Sequence, residues 1–230
     1  MSTPESQVIY SSNAVVIRRL VVSEMSNNIY LLTSKPTGAQ VLIDAADNAS
    51  AISAMLETAA DQDVDPGVEA AGVVAIITTH SHWDHVRALA EMKEATGART
   101  YASVEDAPEI PVPTEEHLEH GQEAVFGDIP LRVIALRGHT PGSLALVYAP
   151  ESERDGRDDA PIIFSADSLF PGGVGNTWND STRFNQLLDD VESRLFDVYP
   201  DASPVYPGHG DPTTIGAERP SLPQWRERGW

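Results

Sequence analysis

The sequence concentrates potential metal ligands in one short segment. His80, His82, Asp84 and His85 lie within six residues of one another. They follow the apolar, β-branched run 73–79, which predicts a buried strand. Alternation in the turn after that strand lets His80 and His82 aim at one point, while Asp84 and His85 aim at a neighbouring one. Imidazole and carboxylate groups are suitable ligands for zinc or iron, so the segment predicts a metal site.

Four residues cannot supply all the ligands of two metal ions. Three further candidate ligands follow predicted strands elsewhere in the chain. Each lies at a strand end beside glycine or another small residue, which lets the backbone come close to a crowded centre. These candidates are His139 after residues 131–136, Asp167 after residues 162–165 and His209 after residues 204–206. Together with the first cluster they predict a metal centre that is assembled from several strand ends.

Other polar residues near these positions could support the ligands or serve only the backbone. Asp44 ends a predicted strand, where it could accept a ring N–H from a ligand histidine or simply cap a turn. Thr140 and Ser143 could brace the loop of His139 or be ordinary turn residues. For Asp44, Thr140 and Ser143 the sequence leaves open both the support of a ligand and a purely local role in a turn.

A glycine-rich segment after Asp167 predicts a mobile lip beside the site. Residues 170–180 contain three glycines, which give the backbone conformational freedom. Asn176 and Trp178 in this segment could line a substrate pocket or belong to a surface loop. Trp83 lies among the ligands and is expected to pack against protein rather than to bind substrate.

The elements that must position these residues are mostly strands with helices between them. Apolar runs predict strands over residues 15–22, 28–33, 40–44, 73–79, 131–136, 144–148, 162–165 and 204–206. Helical spacing predicts helices over 49–60, 84–96 and 181–199, the last burying Phe184, Leu187, Leu188, Val191, Leu195 and Val198. The acidic segment 105–121 is expected to be a surface excursion, and 150–161 a charged loop. This pattern predicts an α/β protein with sheets inside and helices outside, as a single domain over residues 1–230.

Composition restricts the partners and the ligand chemistry. The chain has 15 Lys and Arg against 35 Asp and Glu, a formal net charge of −20. Such a surface repels phosphate backbones and anionic lipid, so we expect a small-molecule substrate rather than nucleic acid or membrane. There is no cysteine, which excludes disulfides and thiolate ligands. The polar N-terminus and the lack of a long apolar run favour a cytoplasmic location, and the oligomeric state is open.

The combined motif resembles the signature of the metallo-β-lactamase superfamily. The resemblance covers nearly the whole chain, from residues 27–30 and 42–44 to residues 206–209. It implies a four-layer αββα sandwich with two divalent metal ions at one edge, zinc first and iron or manganese as alternatives. It also implies a division of the ligands: His80, His82 and His139 on the first ion, Asp84, His85 and His209 on the second, and Asp167 bridging them.

Two departures from the family pattern concern the backbone near the ligands. Many members have two glycines after the equivalent of His85, where this chain has Val86, Arg87 and Ala88. Many also have glycine before the bridging aspartate, where this chain has Ala166. These differences bear on local loop geometry and leave the ligand set intact.

The resemblance implies a dinuclear-metal hydrolase that acts on an ester, thioester or similar small acyl substrate. In that reaction Asp84 would be catalytic, orienting the attacking water and passing a proton to the leaving group. Glyoxalase II-type thioesterases are most similar over residues 138–143 and 168–173. Those enzymes add a helical domain after the last histidine that helps bind glutathione, and only 21 residues follow His209 here, so we do not expect a glutathione thioester and leave a smaller or different thioester open. The alternative is an oxidoreductase like the persulfide dioxygenases, which use one iron.

Two further features are expected to lie outside the chemistry. His117 and His120 are expected to be exposed to solvent and not to bind metal. The C-terminal tail is rich in arginine and tryptophan, and its expected role is packing. Trp225 and Trp230 would cover the sandwich, while the arginines pair with carboxylates. The alternative role for the tail is binding of an anionic substrate.

Overall fold

Three apolar clusters divide the chain into four layers. The computed structural model describes residues 4–151, 156 and 159–229. One cluster fills the space between two β-sheets. Each of the other two lies between the outer face of a sheet and the helices that cover it. Burying both faces of each sheet removes apolar area from water, which is the main force that stabilises such a stack. The predicted α/β fold, a four-layer αββα sandwich, is confirmed.

The first sheet contains seven strands in chain order within the described residues. They are β1 (Gln7–Ser11), β2 (Val15–Val22), β3 (Asn27–Ser34), β4 (Ala39–Ile43), β5 (Gly72–Ile77), β6 (Arg99–Ala102) and β7 (Glu116–His117). Strands β1 to β4 pair antiparallel, and β4 to β7 pair parallel. Parallel neighbours need a crossover connection. Helix α1 (Ala49–Gln62) is the crossover from β4 to β5, and α2 (Leu89–Thr96) is the crossover from β5 to β6.

The second sheet contains six strands of the described chain, and its order differs from the chain order. The strands are β8 (Glu123–Phe126), β9 (Ile129–Ala135), β10 (Leu144–Tyr148), β11 (Ile162–Ala166), β14 (Pro204–Pro207) and β15 (Thr213–Thr214). The spatial order is β15-β14-β11-β10-β9-β8, with β11 and β14 parallel. Two short strands, β12 (Leu169–Phe170) and β13 (Gly173–Val174), form a separate hairpin. Helices α3 (Ser181–Val191), α4 (Ile215–Glu218) and α5 (Leu222–Arg228) follow in the chain.

The helix predicted over residues 84–96 is wrong in its first part. A single 3₁₀ turn spans Trp83–His85, and α2 begins only at Leu89. The tight turn is closed by the amide of His85, which donates to the carbonyl of His82 at 3.0 Å. Asp84 and His85 are both buried in this turn. The 3₁₀ turn ends at Val86, whose amide donates to the carbonyl of Trp83, so the chain is not yet α-helical where it carries these two side chains.

The helix predicted over residues 181–199 ends early, and this changes one side chain's environment. The α-helix stops at Val191 and continues as a π-helical turn over Glu192–Phe196. The wider turn alters the phase of the residues that follow it. Val198 is therefore 54% exposed, although the other five predicted core residues of this segment are buried.

Most of the acidic segment 105–121 is exposed, as its composition predicts, but three of its residues anchor it to the fold. Asp106, Ile110 and Leu118 are buried, and β7 adds a strand to the edge of the first sheet. The prediction for residues 150–161 falls partly on residues 152–155 and 157–158, which lie outside the described residues.

Candidate metal centre

All seven predicted ligand residues lie together where several strands end. The candidate ligand atoms fall into three groups in which all atoms lie within 4.8 Å of one another. The groups are His80, His82 and His139; His80, His85 and Asp167; and Asp84, His85 and His209. Each predicted ligand belongs to at least one group. The sequence therefore predicted which residues converge, and their binding of metal remains a prediction.

The topology of the two sheets explains this convergence. The residues after β4 and β5 meet because these strands are parallel and end at the same edge. The residues after β11 and β14 meet for the same reason in the second sheet. The two sheets are joined at this edge by the amide of Leu144, which donates to the carbonyl of Thr79 at 2.9 Å. The loops that follow β4, β5, β11 and β14 therefore lie next to one another at this edge.

Four of the five imidazoles are held through Nδ1, which leaves Nε2 to face the centre. The Nδ1 atoms lie 3.0 Å from Thr79 Oγ1, 2.9 Å from Asp44 Oδ2, 2.9 Å from the carbonyl of Asn176 and 2.9 Å from the carbonyl of Met25. These pairs belong, in that order, to His80, His85, His139 and His209. A ring that donates from Nδ1 carries a lone pair on Nε2, the form that binds a metal ion.

Several buried atoms at the centre lack a hydrogen-bond partner, and a cation would satisfy them. His80 Nε2, His139 Nε2 and Asp167 Oδ1 are buried without a partner. Buried polar atoms are rarely left unsatisfied, since this costs about 1–3 kcal/mol each. Nitrogen and carboxylate oxygen are donors that zinc and iron accept. The residues present therefore fit one or two divalent ions.

Asp44 orients candidate ligands that belong to more than one of the three ligand groups. It is buried, and its carboxylate accepts from the Thr79 amide and the Thr79 hydroxyl, each at 2.8 Å, and from His85 Nδ1 at 2.9 Å. Because Thr79 Oγ1 donates to Asp44, it can accept from His80 Nδ1. Asp44 also has a φ of +57°, a conformation that non-glycine residues adopt at a cost. Of the two interpretations open for Asp44, the support of a ligand histidine is the one the structure favours.

The segment Asn27–Tyr30 of β3 holds the loop that carries His209. Asn28 Nδ2 donates to the carbonyls of Pro207 and Gly210, each at 2.9 Å. Tyr30 Oη donates to the carbonyl of Pro207 at 2.6 Å. Asn27 Nδ2 donates to Asp84 Oδ2 at 2.9 Å, which fixes the direction of that carboxylate. This strand therefore positions two of the candidate ligands.

Asp167 occupies the middle of the cluster, as a bridging carboxylate would. Its Oδ2 lies 3.5 Å from His139 Nε2 and 3.4 Å from His209 Nε2, while its Oδ1 lies 3.5 Å from His85 Nε2. Asp167 can take this position only because the residue packed against it, Gly208, has no side chain. A Cβ on Gly208 would lie 2.2 Å from Asp167 Oδ1.

Ala166 takes a left-handed backbone conformation, with a φ of +49°. Glycine adopts this conformation without strain, so the glycine that the resemblance led us to expect would suit this position. We expect Ala166→Val to destabilise the protein by at least about 2 kcal/mol, because a β-branched side chain adds strain at positive φ and overpacks a buried site. Ala166→Gly should stay within about 1 kcal/mol of wild type, since lost methyl burial opposes the relief of strain. Urea unfolding of the two variants measures both effects, and equal stabilities would contradict this account.

Asp106 is a supporting residue that sequence reasoning missed. Its carboxylate accepts from the amide of Ser81 at 3.0 Å and from the amide of Gly142 at 2.7 Å. It thereby ties the loop of His80 and His82 to the loop of His139. In the sequence, Asp106 is one acidic residue in an acidic segment, so no local pattern distinguishes it.

The loop of His139 is braced mainly by Arg183. Its Nε donates to the carbonyl of Gly138 at 2.7 Å, and its Nη2 donates to the carbonyl of His139. Thr140 Oγ1 is buried without a hydrogen-bond partner, and Ser143 Oγ makes one long contact of 3.4 Å with Ser168 Oγ. The bracing role proposed for Thr140 and Ser143 therefore belongs mostly to an arginine from α3.

Burial and charge give the candidate ligands very different proton affinities. Burial lowers the pKa of His80 well below its usual value and that of His139 to about 4. Burial also lowers the pKa of His209, but its hydrogen bonds to Asp167 and Asp84 outweigh this and raise the pKa to about 10. Burial raises the pKa of Asp84, but hydrogen bonds from His209 and Asn27 outweigh it and hold that pKa below its usual range.

These pKa values predict that metal binding releases a proton from His209. Without metal this ring is protonated at pH 7, because its pKa is raised to about 10, whereas His139 is already neutral. A metal ligand must be deprotonated, so loading should release about one proton per chain from this group, and affinity should fall as the pH falls. Calorimetric titration with zinc, in buffers of different ionisation enthalpy, measures the number released. A binding enthalpy that is independent of the buffer would contradict the prediction.

Two tryptophans near the candidate centre are exposed. Trp83 is 63% exposed, contrary to the expectation that it packs, and the guanidinium of Arg87 lies 4.0 Å from its ring centre. Trp178 is 50% exposed, and its ring stacks on His139 with centroids 5.3 Å apart. Of the two interpretations open for Trp178, the contact with a predicted ligand favours the pocket over an unrelated surface loop.

Trp225 and Arg226 of the tail pack as expected, whereas Arg228 lines a cavity with residues of the segment 170–180, so both roles of the tail stay open. Trp225 is buried and meets Phe196 edge-on at 6.3 Å. Arg226 pairs with Asp189 and Glu192. Trp230 lies outside the described residues. The two remaining histidines, His117 and His120, are exposed and belong to none of the candidate ligand groups in the described chain.

Several curated relatives to which the chain is similar are named hydroxyacylglutathione hydrolase. The chain is 32% identical to the hydroxyacylglutathione hydrolase of Jannaschia sp. (strain CCS1), over 65% of this chain and 50% of that protein. It is 26% identical to the hydroxyacylglutathione hydrolase GloC of Haemophilus influenzae, over 70% of this chain and 84% of that protein. It thus spans about half of the first relative and most of the second.

Solved structures and a family model agree with these relatives. The structure of ETHE1 from Myxococcus xanthus matches with a TM-score of 0.70 and 28% identity, covering 92% of this chain and 84% of that one. TTHA1623 in a di-iron-bound form matches with a TM-score of 0.65 and 29% identity, covering 87% of this chain and 96% of that one. The model of the metallo-beta-lactamase superfamily matches residues 22–209. The chain therefore belongs to the metallo-beta-lactamase superfamily.

Proposed function

We propose that this protein is a metal-dependent hydrolase that uses two divalent ions, zinc first, on a small acyl ester or thioester. The observation that carries the proposal is the position of Asp167. Its two carboxylate oxygens face imidazoles of different groups, with Oδ1 3.5 Å from His85 Nε2 and Oδ2 3.5 Å from His139 Nε2. Seven converging ligands are more than one tetrahedral ion needs. The names of the hydroxyacylglutathione hydrolases among the relatives support the same class of reaction.

Two bound ions would lower the pKa of a shared water and polarise a substrate carbonyl. Side chains of the protein then determine which group accepts the proton of the attacking water. Asp84 Oδ2 is held by Asn27 Nδ2 at 2.9 Å and lies 3.1 Å from His209 Nε2. Asp84 then accepts a hydrogen bond from the attacking water, which keeps the oxygen of the water aimed at the carbonyl carbon.

The reaction balances as an ordinary hydrolysis. The oxygen of water bonds to the carbonyl carbon, and the carbon–sulfur or carbon–oxygen bond breaks. One proton of the water passes by way of Asp84 to the leaving thiolate or alkoxide, and the other is released when the new carboxylic acid ionises. A small-molecule substrate, rather than nucleic acid, also suits the net charge of −20. No described helix is long and apolar enough to cross a bilayer.

The second candidate function is a mononuclear-iron persulfide dioxygenase, as an oxidoreductase. The similarity to TTHA1623, which was solved in a di-iron-bound form, supports iron as a metal that this fold can hold. A single ion would use only some of the ligands that converge here, which is why we prefer the hydrolase.

A screen of thioesters, esters, lactones and persulfides separates the two functions. The purified protein is loaded with zinc or with iron, and acid release and oxygen consumption are followed in parallel. We expect zinc-loaded protein to hydrolyse a small thioester or ester without consuming oxygen. Oxygen consumption with a persulfide, together with no acyl hydrolysis, would overturn the proposal.

A further inference from the structure

Trp178 has a backbone conformation that a large side chain rarely takes. Its φ is +54°, and the next residue, Asn179, has a φ of +60°. Two consecutive left-handed residues that are not glycine are strained, and such strain persists only where the surroundings impose it. The surrounding residues therefore hold the backbone at Trp178 in one conformation, and this fixes the direction in which the indole leaves the chain.

The residues that hold Trp178 in this position, Asn176 and Arg183, also hold the loop of His139. The amide of Trp178 donates to Asn176 Oδ1 at 2.8 Å, and the carbonyl of Asn176 accepts from His139 Nδ1 at 2.9 Å. The guanidinium of Arg183 lies 4.7 Å from the centre of the indole, and the same arginine holds the carbonyls of Gly138 and His139. The indole and the His139 loop are thus fixed by shared partners.

The indole is held against the candidate centre but is not buried. It stacks on His139 with centroids 5.3 Å apart and meets His82 edge-on at 5.5 Å. Half of its surface remains exposed. A tryptophan that served only the core would be buried, since an exposed indole forgoes most of its apolar stabilisation. A half-exposed tryptophan thus contacts two imidazoles of one predicted ligand group.

A cavity beside the segment that carries Trp178 has room for more than a small acyl group, and Arg228 of the tail is among its lining residues. Its volume is about 470 Å³, and it is lined by residues on both sides of Trp178, Thr177 and Asn179. Its apolar walls include Phe170, Pro171 and Val174. This volume falls in the range of cavities that enclose small organic ligands.

We propose that Trp178 is a specificity-determining residue that receives an aromatic or similarly planar acyl group of the substrate. The inference rests on the proposed hydrolysis of acyl esters or thioesters. The part of the indole that His139 and Arg183 leave uncovered offers apolar contact and edge-on stacking to a planar group whose carbonyl lies at the candidate centre. The substrate class that this geometry favours is an aryl or arylalkyl thioester or ester.

The kinetic test compares two thioesters of the same small thiol, one with an acetyl group and one with a phenylacetyl group. In Trp178→Ala the KM for the phenylacetyl thioester should rise about tenfold, while the KM for the acetyl thioester and both kcat values change little. Trp178→Phe should restore most of the loss, because it keeps an aromatic face. Equal changes for both thioesters would overturn the proposal.

The matched control is Trp83→Ala. Trp83 is also exposed and stacked by an arginine, and it lies beside the predicted ligands in sequence. Within the described residues its ring has no aromatic contact with an imidazole, in contrast to Trp178. The ratio of the two KM values should stay at the wild-type value in this variant. A changed ratio would assign the selectivity to exposed tryptophan in general and would overturn the specific role of Trp178.

A binding measurement tests the same inference without turnover. Acetate and phenylacetate are titrated calorimetrically into zinc-loaded protein, with zinc content checked for every variant. Wild type should bind phenylacetate more tightly than acetate, and Trp178→Ala should lose that difference at unchanged zinc content. If the difference survives, the inference is wrong. If wild type hydrolyses no acyl substrate, the proposed function fails, while the ratio of the two affinities still decides the role of Trp178.

Discussion

Replacing Asp167 by alanine is expected to remove at least one bound metal ion and nearly all activity. Its carboxylate lies between imidazoles of separate groups, 3.4 Å from His209 Nε2 and 3.5 Å from His85 Nε2. Loss of a group that merely supports a ligand typically costs 10–100-fold in affinity or activity. Loss of the bridging group itself should therefore cost at least about a hundredfold.

The fold should survive the Asp167→Ala change. Without metal, Asp167 Oδ1 is already a buried atom without a hydrogen-bond partner, so the alanine removes an unfavourable group as well as favourable contacts. Elemental analysis and thermal unfolding of the same sample measure both outcomes. The control is the double variant His117→Ala/His120→Ala, which changes two exposed histidines and should keep its metal. Two ions retained in Asp167→Ala would show that this residue does not bridge.

The Asp44→Ala change is expected to have the second-largest effect, on metal affinity and on stability together. The change leaves the amide and the hydroxyl of Thr79 and the ring of His85 without their acceptor in a buried place. Each unsatisfied group costs about 1–3 kcal/mol, so the free energy of unfolding should fall by about 3 kcal/mol or more. Metal affinity should fall about 10–100-fold, because the ligand histidines lose their orientation.

A second variant separates lost orientation from lost stability. Asp63 is also buried, and both of its carboxylate oxygens accept from the guanidinium of Arg18, at 2.5 Å and 2.7 Å. Arg18 is not a predicted ligand, so this pair contributes to stability without orienting the metal centre. Asp63→Asn should lower stability while zinc affinity, measured by competition with a chelator, stays near wild type. If Asp44→Ala keeps its zinc affinity, then Asp44 supports the fold and not the metal centre.

The candidate site could be predicted from the sequence because its ligands stand at strand ends. Strands such as β5 are recognisable from apolar, β-branched runs, and polar residues directly after them contrast with those runs. His80, Asp167 and His209 are of this kind. The parallel pairing of the strands then brings their ends together, so the convergence follows from local patterns and a topological rule.

The supporting residues could not be predicted, because their roles depend on contacts between distant parts of the chain. Asp106 ties two ligand loops and lies 25 residues from Ser81 and 36 from Gly142. Arg183 braces the loop of His139 from a helix 44 residues away. Neither residue belongs to a periodic pattern. The early end of the helix at Val191 was missed for a similar reason, since a π-helical turn has no clear local pattern.

The metal content of the saturated protein tests the central claim most directly. The protein is loaded with excess zinc or iron, freed of unbound metal and measured by elemental analysis against the chain concentration. We predict two ions per chain, held by the seven converging side chains, and one or none in Asp167→Ala. A saturated wild-type protein that binds a single iron, and no more than one zinc, would contradict the dinuclear centre.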